Sequence, residues 1–130
     1  MSENPRSLRV KDVVIDCCDL DTVVSFWAAL LERPVAARTG PYISLERRDG
    51  IGLVFQEISS PKSAKNRVHL DLGSDDPLAD MARVEALGGA RLSGYETGGF
   101  LVMADPEGNE SCIIPSQAFD VDDEGRAHYL

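Results

Sequence analysis

The feature that most constrains this chain is that it repeats itself. Asp19 and Asp76 lie 57 residues apart (76 − 19), and each stands just before a stretch of helical apolar spacing, where a short carboxylate serves as an N-cap. At the same offset Val24 falls on Met81, Leu30 on Leu87, Leu31 on Gly88 and Asp12 on His69. One shift that aligns a strand, a cap and a helix indicates an internal duplication.

The first copy opens with residues 10–18, a run rich in β-branched side chains that reads as a strand. After Asp19, apolar residues at 20, 23, 24, 27, 30 and 31 predict a helix with Phe26 and Trp27 in the core, and Pro34 closes it. Residues 36–58 hold short strands. They are punctuated by Thr39-Gly40-Pro41 and by Asp49-Gly50, a hairpin signal, and the last strand covers 52–58. Residues 59–65 are polar and read as a linker. The pattern then restarts with an alternating strand at 68–72, in which His69 and Asp71 face away from the apolar side. Pro77 sits at the first position of a helix over 78–87, where its missing N–H costs nothing, and Gly88-Gly89 stops it. Strands are expected at 90–92, 100–104 and 111–114, the last two joined by the turn Asp105-Pro106-Glu107-Gly108.

The expected class is therefore α+β: two βαβββ modules, about 8–58 and 66–115, in a single domain over 8–117. Neither module can cover both faces of its sheet alone. The expectation is a curved mixed sheet with helices on the convex face and a concave face free to hold a ligand. Residues 118–130 read as an acidic, mobile tail, with Tyr129-Leu130 available to dock on a partner subunit.

Charge and cysteine usage narrow the function. A net charge of −9 excludes nucleic acid as a natural partner, because a phosphate-binding face must be basic; it keeps a protein in solution and draws cationic small molecules. No apolar run approaches the length needed to span a bilayer. The first ten residues carry no secretory h-region, so a cytoplasmic location is expected. Cys17, Cys18 and Cys112 lack the spacing of a zinc site and read as small buried residues in a reducing compartment, with Cys112 as inert packing. Lys65, Asn66 and Arg67 read as a solvated loop before the second-half strand.

Residues 12–31 with Phe26-Trp27, the pair Phe55-Gln56, the stretch Lys65-Asn66-Arg67-Val68-His69-Leu70-Asp71-Leu72 and the segment Ala104-Asp105-Pro106-Glu107-Gly108-Asn109-Glu110 running on to Ile113 resemble the vicinal oxygen chelate superfamily. That superfamily contains glyoxalase I, extradiol dioxygenases and bleomycin-resistance proteins, and the chain is most similar to its glyoxalase-like domain branch. The resemblance covers about residues 11–115. It implies a divalent-metal position with one ligand from each of four strands, falling on Asp12, on Gln56 (or on Val54 if the register slips by two), on His69 and on Cys112. Only His69 keeps the family's residue type. A neutral amide and a thiol replace the two glutamates, so no metal and no other cofactor is expected, and glutathione-dependent glyoxalase I activity is not expected.

The implied function is a small-molecule-binding protein with a degraded metal site that sequesters a ligand in the sheet cavity at Asp12, Gln56, His69, Asp71 and Cys112. The alternative is a lyase, an isomerase or a dioxygenase-type enzyme using His69 with Asp12 as acid/base groups or metal ligands. The resemblance also implies a homodimer. The sequence names no catalytic residue.

Overall fold

A computed structural model describes residues 7–48, 50–92, 101–116 and 119–129 of the chain. Asp49, Phe100 and Leu130, which figure in the expectations above, lie outside the described residues. The chain divides into two compact units, Met1–Pro61 and Lys62–Leu130.

Unit 1 runs β1 (Asp12–Cys17), α1 (Leu20–Leu31), β2 (Val35–Thr39), β3 (Tyr42–Leu45) and β4 (Gly52–Glu57). Its four strands form one mixed sheet in the order β1-β4-β3-β2, with β1 parallel to β4 and the other pairs antiparallel. The parallel pair is what a crossover helix permits. Asp19 caps α1 as expected: its carboxylate accepts from the Thr22 amide at 3.2 Å and from the Thr22 hydroxyl at 2.7 Å. Those two bonds hold its carboxyl below the usual range. Val23, Val24, Phe26, Trp27 and Leu30 are buried against the sheet face made by Ile43, Leu45, Leu53 and Phe55. Phe26 and Trp27 meet edge to face at 5.5 Å.

Unit 2 repeats the order: β5 (Leu70–Ser74), α2 (Pro77–Ala86), β6 (Ala90–Arg91), β7 (Leu101–Ala104) and β8 (Glu110–Pro115). Its sheet has the matching order β5-β8-β7-β6, with β5 parallel to β8. Asp76 accepts from the Ala79 amide at 3.2 Å, and Pro77 opens the helix. Gly88 takes φ 103°, a left-handed turn that a side chain rarely adopts, and so ends α2 where the sequence indicated. Met81 and Val84 bury against the sheet face carrying Met103, Ser111 and Ile113. Both units are thus βαβββ modules, and the class is α+β.

Three expectations need correction. Val68 stands outside β5 and is 78% exposed, because the ladder with β8 starts only at Leu70, paired with Ser111. The tail is more ordered than its acidity suggests: β9 (Phe119–Val121) and β10 (Ala127–Tyr129) form an antiparallel hairpin. Its turn is fixed by Asp122, whose carboxylate accepts from the Arg126 amide and guanidinium, each at 2.8 Å. Of the cysteines, Cys17 is buried, whereas Cys18 and Cys112 are half-buried.

Candidate functional site

The two stretches of unit 2 that carried the family resemblance are bonded to each other. Asn66 precedes β5 and Glu110 opens β8. The Asn66 amide donates to Glu110 Oε1 at 3.0 Å, and the Glu110 amide donates back to Asn66 Oδ1 at 3.2 Å. Asn66 Nδ2 also donates to Asn109 Oδ1 at 3.1 Å, and Asn109 Nδ2 donates to Asp105 Oδ2 at 2.9 Å. Asp105 in turn closes the β7–β8 turn by accepting from the Glu107 and Asn109 amides at 2.9 and 3.0 Å. Lys62 completes the clamp with its ammonium 3.2 Å from Glu110 Oε2. Burial raises the Glu110 carboxyl, but the Asn66 amide, the Lys62 ammonium and its own amide together hold it below its ordinary value. Asn66 is therefore a half-buried structural link and not part of a solvated loop. The sequence hid this because its partners lie 43 and 44 residues away.

This clamp anchors the start of β5 beside β8 and sets the neighbours of His69. Side chains two apart on an extended chain share a face, so His69 and Asp71 emerge together. Asp71 is the register partner of Cys112. His69 Nε2 lies 3.3 Å from Asp71 Oδ1. The donor atoms of His69, Asp71 and Cys112 all lie within 4.8 Å of one another. The α2 side of the sheet carries Ser111 and Ile113, so Cys112, which alternates with them, belongs to the opposite face. Burial first, then the Asp71 carboxylate, pushes the Cys112 thiol up, and the Lys65 ammonium opposes the rise. Cys112 is thus not inert packing: strand alternation turns it toward an imidazole and a carboxylate.

In unit 1 the corresponding face carries Asp12, Val14, Val54 and Gln56. Asp12 pairs in register with Gly52 and Gln56 with Asp16, so Asp12 and Gln56 occupy opposite ends of the β1–β4 ladder and are not neighbours. Asp12 is engaged already: Arg47 Nη2 lies 2.8 Å from its Oδ1. Arg47 Nη1 also donates to the Lys11 and Gly50 carbonyls at 2.6 and 3.2 Å. A Cβ on residue 52 would sit 2.1 Å from Asp12 Oδ1, so the glycine leaves the space this ion pair fills. Asp71 pairs with Cys112 as Val14 pairs with Val54, which makes Val54, and not Gln56, the counterpart of Cys112.

The sequence model of the family described as glyoxalase-like domain matches residues 12–114. The chain belongs to that family. No curated protein matches it in sequence. Among solved structures, a glyoxalase-related enzyme from Fulvimarina pelagi is similar at 18% identity and a TM-score of 0.68, over 94% of this chain and 98% of that one. TnmS3, an antibiotic-binding protein from Streptomyces sp. CB03234, is similar at 20% identity and 0.64, over 86% and 98%. The trypanothione-dependent glyoxalase I of Leishmania major is similar at 18% and 0.65, over 85% and 88%. At these identities the likeness establishes the glyoxalase fold, consistent with the vicinal oxygen chelate superfamily.

Taken one by one within their own units, the residues at the positions that the resemblance assigns to a metal are poor donors. Asp12 is paired with Arg47, Gln56 offers a neutral amide and Val54 no donor, and burial with the Asp71 carboxylate pushes the Cys112 thiol up. A hard divalent ion needs several charged oxygen or imidazole donors. These residues do not fit such an ion.

Proposed function

We propose that this glyoxalase-like protein binds a small molecule against the helix-free face of β5 and β8, at His69, Asp71 and Cys112, and sequesters it there with no resident metal of the superfamily type. The observation that carries the reading is the convergence of an imidazole, a carboxylate and a thiol on a face that α2 does not cover. The loss of both glutamate ligand positions supports binding over metal-dependent turnover. That an antibiotic-binding protein shares the fold supports the same choice. In unit 1, Gln56 is a proposed ligand contact on its own sheet face, while Asp12 contributes only when Arg47 releases it. The net charge of −9 favours a cationic or neutral ligand.

Thermal-shift screening with a small-molecule library that includes cationic antibiotics tests this. A ligand at about 100 times its Kd adds about 2.7 kcal/mol of stability, and His69→Ala removes most of that gain. A broad library that shifts nothing overturns the reading.

A second reading is favoured by the 3.3 Å approach of His69 to Asp71. A carboxylate that orients an imidazole suits it to move a proton beside a carbonyl, as a lyase or isomerase requires. Turnover that vanishes in His69→Ala while ligand binding persists would select this reading. We also place the protein in the cytoplasm as a homodimer. No helix among the described residues is long and apolar enough to cross a membrane. Size-exclusion chromatography with light scattering reads the assembly state.

A further inference from the structure

We infer that the sheet face of unit 1 turned away from α1 carries a site of its own, made by Asp16, Gln56 and Tyr42, for a protonated amine on a short hydrocarbon body. Strand register carries it. Asp16 pairs with Gln56 and Gln56 with Tyr42, so the three stand in one row across β1, β4 and β3. Cys17, Phe55 and Ile43, their neighbours in sequence, are buried on the α1 side, and strand alternation turns the row the other way. The next row on the same face pairs Val14 with Val54. A carboxylate, an amide and a phenol thus lie in line beside two valines. Asp16 is exposed, and Tyr42 and Val14 are 39% and 49% exposed. Asp12, on the same strand, is held by Arg47, whereas Asp16 has no ion-pair partner among the described residues.

The spacing and the chemistry of the row select the ligand. Neighbouring strands lie about 4.8 Å apart, so Asp16 and Tyr42 stand about 10 Å apart across Gln56. A cation about 2.8 Å from a carboxylate oxygen and within about 6 Å of a ring centroid bridges that span over Gln56. The carboxylate, the amide oxygen and the phenol oxygen all accept hydrogen bonds. An ammonium with N–H groups therefore suits the row better than a quaternary ion, which has none to give. Residues two apart on a strand lie about 6.7 Å apart, which puts Val14 and Val54 within reach of a short hydrocarbon chain on the nitrogen. The net charge of −9 draws such a cation and repels a carboxylate of the same length. The site lies within unit 1 and does not rest on the reading of His69, Asp71 and Cys112.

Titration of the full-length chain with hexylamine hydrochloride, followed by backbone amide shifts in two-dimensional NMR, tests the site. The expected result is saturable shifts at Asp16, Tyr42, Val54 and Gln56, with hexanol and hexanoate each binding at least about threefold more weakly. Asp16→Asn weakens hexylamine by about threefold or more, and Tyr42→Leu by about two- to fivefold. Tyr42→Phe, which keeps the ring, loses less than Tyr42→Leu. Glu57→Gln makes the same change of charge beside Gln56 but on the opposite face, and leaves the affinity unchanged. The amides of His69, Asp71 and Cys112 are followed in the same spectra, so failure at one site is told apart from failure at the other. No saturable shift in unit 1, hexanol binding as well as hexylamine, or equal losses in Asp16→Asn and Glu57→Gln, the mark of diffuse charge attraction alone, overturns the inference.

Discussion

Replacing Asn66 by alanine tests whether the clamp between the segment before β5 and the β7–β8 turn is what positions the candidate site. The substitution removes two side-chain hydrogen bonds, Asn66 Nδ2 to Asn109 Oδ1 and the Glu110 amide to Asn66 Oδ1. Asn109 is only 9% exposed, so water replaces the lost donor poorly. Among the described residues no buried side-chain nitrogen or oxygen lacks a partner, so the variant introduces a deficit the native fold does not carry. Each lost bond is worth about 0.5–1.5 kcal/mol net, and a buried group left without a partner costs about 1–3 kcal/mol. Asn66→Ala should therefore destabilise by about 2–4 kcal/mol, read by equilibrium urea denaturation at constant m. A double-mutant cycle with Asn109→Ala should show coupling of at least about 0.5 kcal/mol. A loss below about 0.5 kcal/mol with additive effects would refute the clamp and leave the placement of His69 without an explanation.

Further outcomes follow from the same contacts. Gly52→Ala should cost about 1 kcal/mol or less, since the added Cβ displaces only the mobile ends of Asp12 and Arg47, whose partly exposed ion pair is worth little; combining it with Arg47→Ala should add almost nothing, as denaturation of the double variant will show. Trp27, with no exposed surface, should lose about 3–5 kcal/mol on change to alanine, measured by chemical unfolding. The depressed Glu110 carboxyl gives a pH dependence of definite sign. Its contribution is fully present above the unfolded value of 4.5 and is lost as the pH falls through its lower folded value. Urea midpoints taken between neutral pH and about pH 3 should thus fall less steeply for Glu110→Gln than for the unaltered chain.

Much of the fold is legible in the residues because the repeat is strong where local signals are strong. Leu20–Leu31 is helical over the span its apolar spacing indicates, and both aspartate caps bond as their positions require. The 57-residue offset holds through the first strand and helix of each unit. It becomes 58 at the last strand, where Leu53 matches Ser111 (111 − 53). Strand register sets Val54 opposite Val14 as Cys112 lies opposite Asp71, with Gln56 two residues further on. The grouping of His69, Asp71 and Cys112 was partly legible. Alternation placed the first two on one face, but only the parallel pairing of β5 with β8 brings Cys112 beside them. The engagement of Asp12 by Arg47 and of Asn66 by Glu110 was not legible, since each joins residues more than thirty positions apart with no local pattern to announce it.

The most direct measurement is a crystal structure of the chain soaked with a molecule that raises its melting temperature. The account predicts ligand density in contact with His69, Asp71 and Cys112, on the sheet face of β5 and β8 turned away from α2. Density seated elsewhere, with those three side chains untouched, would contradict it.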